Sequence, residues 1–413
     1  MKHQSVIVLN LGGSKALVVA KRIRECGVYS EVYPYSMEKE ELEALAPQGV
    51  IVTGAGEDVH ADAQEKVPWL TELGCPTLEV GLGTSLSVEA LAGGIGKKCL
   101  DNFLKITCNC TGDWTMTDWI ESTTRQLKET IGDRQVMVGV TGGVDSAVTA
   151  ALLARAVGKQ CKAVLIDNGL LRKGEAEETA KAIKKLPLEF IKVNAETKFM
   201  FKLLGIDDPT KKKNIINQEY AAFFDAEAEK WDAQVLAKST IYTDLLVNHS
   251  LPLTWKPKEV VEPLKNLFKD EVVQLAKLLE LPDTIVQRQP FPLYGLATRC
   301  IGAITMERLN ILREADALFV HEVEKEGLTR HANQYFVAIT NFKSAAIRGN
   351  RQTHEYTLVL RAVQTNDFIS SDWTEMSAET LRNISRRLTT EISGVGRVLY
   401  DVTATPPAAI EFE

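Results

Sequence analysis

Gly139-Val140-Thr141-Gly142-Gly143-Val144-Asp145-Ser146 follows directly on the apolar run Val136-Met137-Val138 and leads into a helical stretch at 147–156. A strand that ends in a glycine-rich turn and opens a helix aims backbone N–H groups and the positive end of a helix dipole at an anion. Gly142 and Gly143 let the backbone approach a phosphate with no Cβ in the way. Asp145 is a candidate magnesium ligand, and Thr141 and Ser146 offer hydroxyl donors. The turn is not a Walker A loop, because no Gly-Lys-Ser/Thr closes it. The alternative is a turn that only joins strand to helix.

Outward from this loop, the chain reads as α/β. On the N-terminal side, apolar runs at 6–9, 29–32, 49–53 and 76–80 read as strands, with a helix at 14–26 that Ser14 would cap and Gly27 would end. Residues 101–115 form a connector, and a helix is expected at 117–130. Further strands are expected near 136–140, 162–166, 189–193 and 234–237, with helices at 147–156, 174–184 and 211–230. This βαβ rhythm predicts parallel sheets. Proline-rich residues 284–297 precede an α+β segment with helices at 306–325 and 378–392 and strands at 334–340, 357–362 and 397–402.

With 413 residues the chain is long enough for two or three domains. It is 45% hydrophobic and 25% charged, and its net charge of −7 argues against a nucleic-acid binder. No apolar run approaches the ~20 residues of a membrane span, and no signal-peptide cleavage site follows Met1. Seven cysteines over this length point to a reducing cytoplasm rather than a disulfide scaffold. Cys108 and Cys110 form a Cys-x-Cys pair with no second pair or nearby histidine to complete a zinc site.

The loop resembles the Ser-Gly-Gly-x-Asp-Ser loop of the ATP pyrophosphatases, with Thr141 in place of the first serine. Four further segments follow in order: 167–175 (Asp-Asn-Gly-Leu-Leu-Arg-Lys-Gly-Glu), 261–272, the proline-rich 289–299, and 400–413, which ends Ile410-Glu411-Phe412-Glu413. Together they resemble the GMP synthetase family across almost the full length. That resemblance implies ATP and Mg2+ as cofactors. It also implies a carbon–nitrogen ligase that adenylates a purine nucleotide carbonyl, releases pyrophosphate, and lets ammonia displace AMP. It implies a flavodoxin-like amidotransferase remnant at 1–100, an adenine nucleotide α-hydrolase-like ATP pyrophosphatase domain at 101–292, and an α+β dimerisation domain at 293–413, with a homodimer as the expected state.

The same resemblance implies nucleotide contacts from Thr141, Gly142, Gly143, Val144, Asp145, Ser146 and Asp167. Asp145, Ser146 and Lys173 would be catalytic, and Asp145 would hold the metal. Arg172, just past the carboxyl end of a parallel strand, and Arg299 are candidates for substrate phosphate. Gln334 and Glu411 are candidate substrate contacts by position, with ordinary surface polarity as the alternative.

Three departures from the family stand out. Gly81 occupies the position of an amidotransferase cysteine in Val80-Gly81-Leu82-Gly83-Thr84, and no histidine lies between His60 and His249. That segment is therefore expected to lack the thiol–imidazole pair that glutamine hydrolysis needs. The lid region is short and keeps only His249, with Lys256 and Lys258 as possible replacements for its missing charges. The substrate loops carry Pro292-Leu293-Tyr294-Gly295, Thr405 before Pro406-Pro407, and Cys300 beside Arg299, where a neighbouring cation would lower a thiol pKa. The first candidate acceptor is xanthosine monophosphate, with free ammonia or a separate donor protein. The alternatives are a paralogue that thiolates GMP through a sulfur donor, with Cys110 or Cys300 as the reactive thiol, and a non-catalytic regulatory partner.

Overall fold

The computed structural model describes residues 3–13, 15–54, 68–82, 86–246, 251–365 and 371–413. Ser14, His60, Gly83, Thr84 and His249 lie outside them. The chain divides into two compact units, Met1–Thr123 and Thr124–Glu413.

In the first unit, β1 (Ser5–Asn10), α1 (Lys15–Glu25), β2 (Tyr29–Pro34), α2 (Lys39–Leu45), β3 (Gly49–Thr53), β4 (Thr77–Val80) and α3 (Gly94–Asn102) follow in order. The four strands are all parallel, in the order β2-β1-β3-β4. Strands covered on both faces need continuous apolar runs. Val6-Ile7-Val8-Leu9 and Val50-Ile51-Val52 supply them and are nearly or wholly buried. One face packs with Leu42 of α2 and with Tyr33 and Trp69.

The second unit takes up the chain within α4 (Met116–Ile131). Its parallel sheet is built from β5 (Val136–Gly139), α5 (Val144–Val157), β6 (Cys161–Asp167), α6 (Glu175–Ile183), β7 (Glu189–Asn194), α7 (Glu196–Leu203), α8 (Pro209–Lys230), β8 (Val235–Ala237), β9 (Glu259–Val261) and α9 (Lys269–Leu278). The sheet order is β7-β6-β5-β8-β9. The chain winds from β5 outward to one side, then returns to pair β8 on the other. This puts a topological switch point at the carboxyl end of β5, where open α/β sheets bind ligands.

A short helix α10 (Asp283–Val286) leads into α11 (Met306–Lys325), β10 (Gln334–Arg348), β11 (Arg351–Gln364), β12 (Asp372–Trp373), α12 (Ala378–Glu391) and β13 (Val395–Tyr400). β10 and β11 form a long antiparallel hairpin. The other edge of β11 is shared by β13, parallel along 356–360, and β12 at 363–364. Both hairpin strands outrun their expected lengths. Their distal halves alternate too weakly in polarity to be read as strand, because only the proximal halves are buried. One apolar core runs without a break from Met137, Val164 and Phe199 under the parallel sheet to Phe319, Val337 and Leu358 in the hairpin module. Helices α2, α3, α7 and α9 were not among the sequence expectations. They are short amphipathic segments whose order comes from packing rather than propensity.

Phe319 on α11 is wholly buried in that core. Phe319→Ala is expected to lower the unfolding free energy by about 3–5 kcal/mol through lost burial and a cavity. Urea denaturation should show a lower midpoint with an unchanged slope.

Candidate nucleotide site

The loop after β5 has the geometry its sequence predicts, and the helix starts earlier than expected. α5 begins at Val144 with Gly143 at its N-cap, so Val144, Asp145 and Ser146 form its first turn. The first N–H groups of a helix have no intrahelical acceptor, and here they face the carboxyl end of the sheet. Gly142 sits at φ +91°. A Cβ there would lie 2.9 Å from Arg288 Nη1 and 3.0 Å from Thr179 Oγ1, so both backbone angle and space require glycine.

Ser146 closes the loop. Its buried hydroxyl accepts from Thr141 N–H at 3.2 Å and donates to the Gly143 carbonyl at 3.0 Å. Thr141 is exposed beside it, with the two hydroxyls 3.4 Å apart. The Asp145 carboxylate accepts from Lys269 Nζ at 2.7 and 2.9 Å. Lys269 is the first residue of α9. A cation at the positive end of its own helix is disfavoured by the dipole, and Asp145 compensates. Lys269 was not among the expected site residues, although Phe268-Lys269-Asp270-Glu271-Val272 was conspicuous as a motif; only the fold brings it to the loop. Lys256 and Lys258, the expected replacements for lid charge, are exposed on the approach to β9.

Arg288 is the second residue the sequence did not disclose. Its nearly buried guanidinium donates to the Gly142 carbonyl at 2.8 Å, to Thr179 Oγ1 at 3.1 Å and to Glu178 at 2.9 Å. It also lies 3.6 Å from Glu175, whose other oxygen accepts from Arg172 N–H at 3.0 Å. Burial raises the Glu175 pKa, with Arg288 opposing the shift. Arg288 lines a cavity of about 950 Å³ together with Arg172, Lys173, Glu175, Gln289 and Tyr335. The nucleotide loop and this cavity therefore share a wall.

Arg172 and Arg299 were each expected to face substrate phosphate. The structure brings them together in a buried cluster. Arg172 Nε lies 3.1 Å from Asp316 Oδ2 on α11, and Arg299 Nη1 lies 3.9 Å from Asp316 Oδ1. Both guanidinia lie over the Phe291 ring, at 4.7 and 5.0 Å. Arg299 is fully buried and donates to Glu411 at 2.9 and 3.1 Å. Arg299 and Glu411, read separately as substrate contacts, are each other's partner, because a guanidinium without solvent needs a carboxylate. Arg172 Nε and Nη2 and Arg299 Nη1 are buried with no hydrogen-bond partner, and burial lowers the Arg172 pKa against the pull of Asp316.

Lys173 lines the cavity mouth and pairs with Glu314 at 2.6 Å. Asp167, at the end of β6, accepts from Gly169 N–H at 3.3 Å and pairs with Lys192 at 3.0 Å. Gln334 opens β10, and strand alternation turns it to the face opposite Tyr335, which lines the cavity.

The two candidate reactive thiols, Cys110 and Cys300, are both buried. Burial raises the pKa of Cys300 and of Cys110, and the cations that pull on Cys300 are Arg308 and Lys212 rather than Arg299. Cys108 is pushed up to about 12. In the first unit, Gly81 follows β4 at φ +79°, with space for a Cβ limited to 3.1 Å from the Gly54 carbonyl. This is a sharp, left-handed turn of the kind that presents a nucleophile, and here it carries no side chain.

Family models match the chain over three stretches: glutamine amidotransferase class-I at residues 7–112, NAD synthase at 116–242, and GMP synthase C terminal domain at 321–412. A GMP synthase [glutamine-hydrolyzing] from Finegoldia magna is 34% identical over 510 aligned positions that take in 100% of each chain. The enzyme of the same name from Acetivibrio thermocellus is 34% identical over 514 positions, again 100% of each. The chain itself has 413 residues, so parts of these relatives have no counterpart in it. Among solved structures, NMN synthetase from Francisella tularensis is similar at a TM-score of 0.38 and 16% identity, covering 44% of this chain and 78% of that one.

Two outcomes test this geometry. Gly142→Ala should cost about 1–3 kcal/mol in urea denaturation, because alanine must take a left-handed angle against Arg288. Iodoacetamide at pH 8 should label the exposed Cys99 while leaving Cys108 intact, since a thiol titrating near 12 stays protonated there. Peptide mass spectrometry reads the order of labelling.

Proposed function

The chain belongs to the GMP synthase family, and on that premise we propose that it adenylates the carbonyl of a purine nucleotide, xanthosine monophosphate first, for displacement by ammonia it does not itself generate. The observation that carries the reading is Arg288. It ties the phosphate-type loop at Gly142 to the cavity wall that holds Arg172 and Lys173, so a nucleotide on the loop and an acceptor in the cavity would be neighbours.

In this reading the N–H groups of 144–146 and the hydroxyl of Thr141 bind the ATP phosphates, and Lys269 meets the charge that develops on the leaving pyrophosphate. Asp145 presents one part-exposed carboxylate beside them. That donor set fits magnesium, which takes one or two carboxylates plus substrate phosphates and keeps waters. Bound there, the ion would neutralise charge on the phosphates. The acceptor oxygen attacks the α-phosphorus and pyrophosphate leaves. Ammonia then adds to the activated carbon, a proton is lost, and AMP departs with the oxygen. The two reactants held in register supply most of the advantage. Arg172, which lines the cavity beside Lys173, is the group assigned to acceptor phosphate. Residues 101–292 would serve as the pyrophosphatase domain and 293–413 as the dimerisation domain of a homodimer.

The missing glutaminase is part of the same proposal. Gly81 keeps a left-handed turn and lacks the thiol, and the described cysteines of the first unit whose pKa departs from the ordinary value are all raised rather than poised as thiolates. The buried, raised thiols of Cys110 and Cys300 likewise weigh against sulfur transfer.

Pyrophosphate release from ATP, measured with xanthosine monophosphate plus ammonium, should proceed, and glutamine in place of ammonium should give none. Asp145→Asn should reduce the rate by at least about a hundredfold. Glutamine-driven turnover by the purified chain would refute the missing-glutaminase part. Unchanged turnover in Asp145→Asn would refute the loop's role.

A further inference from the structure

Lys212 lies near the start of α8 with almost no exposure. A buried ammonium must have its donors met. Its Nζ donates to the Cys300 carbonyl at 2.9 Å and pairs with the Glu413 carboxylate. The other Glu413 oxygen accepts from Gly302 N–H at 2.7 Å, and Glu413 N–H donates to the Thr298 carbonyl at 3.2 Å. One carboxylate thus joins α8, the segment 298–302 and the tail 401–413. Two residues earlier, Glu411 holds Arg299 through two bonds. On the next positions of the same helix, Lys213 lies 5.7 Å from the Tyr294 ring centroid, and Asn217 donates to the Tyr294 hydroxyl at 3.4 Å. The first turns of α8 therefore hold both the tail and the proline-rich turn.

Asp316 lies between Arg172 and Arg299. With Glu411 in place, Arg299 has its own carboxylate and Asp316 orients Arg172. If the tail were displaced, Arg299 would keep its charge in a solvent-free site and compete for Asp316, taking Arg172 off its position at the cavity wall.

We propose that Lys212 is a positioning residue for the acceptor: by seating Glu413 it places Glu411 on Arg299 and so fixes Arg172 at the cavity. This rests on the reading of that cavity as the acceptor site.

The test uses the full chain with Glu413→Gln, Lys212→Met and the double variant. Hydrogen exchange over 401–413 should rise about tenfold in each, with 136–157 protected as in the wild type. KM for xanthosine monophosphate should rise about tenfold while KM for ATP stays within about twofold, and the double variant should be no worse than either single one. Glu413→Gln alone suffices should Lys212→Met not fold. Unchanged tail exchange in Glu413→Gln, a parallel rise of both KM values, or additive effects in the double variant would overturn the proposal. A wild-type chain that releases no pyrophosphate with xanthosine monophosphate refutes the functional reading instead. Tail exchange in the variants then decides by itself whether Lys212 seats the tail.

Discussion

Arg299 has no solvent exposure, and much of the second unit is arranged to make that tolerable. A buried guanidinium without carboxylates costs several kcal/mol, while the same group fully met is close to neutral for stability but strict about geometry. Glu411 comes from the tail, Asp316 from α11, and the guanidinium lies over the rings of Phe291 and Phe336 at 5.0 and 4.0 Å from their centroids. Segments far apart in sequence are thereby held to one point. The same device recurs nearby. Arg361 is buried against Asp401 and the Thr403 and Ala409 carbonyls. Arg308 donates to the Ile301 and Thr340 carbonyls. Buried cations, each reading the backbone or a carboxylate of a distant segment, register the helices and tail against the hairpin module.

The nucleotide loop depends on a different balance. α5 and α9 both present their amino ends toward the carboxyl edge of the sheet, and Asp145 and Lys269 neutralise one another between them. The dipoles of both helices favour a negative charge at that place. A phosphate would meet a site that is already folded, closed by Ser146 and backed by Arg288, so little reorganisation would accompany binding. In the first unit the turn after β4 is set by a glycine. Gly81 takes the left-handed angle without strain and carries no side chain.

The elements were largely legible in advance. Continuous apolar runs at 6–9, 49–53 and 136–138 announced buried parallel strands, and the long helices α8 and α11 lie close to the ranges expected for them. The short helices were not legible because they span too few turns to stand out, and the exposed half of the β10–β11 hairpin was not because its polarity alternates too weakly. Of the candidate site, the backbone geometry of Thr141 to Ser146 could be read directly, since a strand–turn–helix loop is a local object whose glycines and first-turn donors lie within a few residues. Lys269 and Arg288 could not, since each acts on the loop from more than a hundred residues away.

Local chemistry thus determined the loop, the parallel sheets and the left-handed turn at Gly81, because backbone angle, hydrophobic run and side-chain identity are properties of neighbouring residues. Tertiary structure alone decided which charges meet. Arg172, Arg299, Glu411 and Lys212 look alike as isolated polar residues; burial pairs Arg299 with Glu411 and Lys212 with Glu413, and sets Arg172 beside Asp316 at the cavity wall. Desolvation forces that sorting, and desolvation is a property of the packed chain.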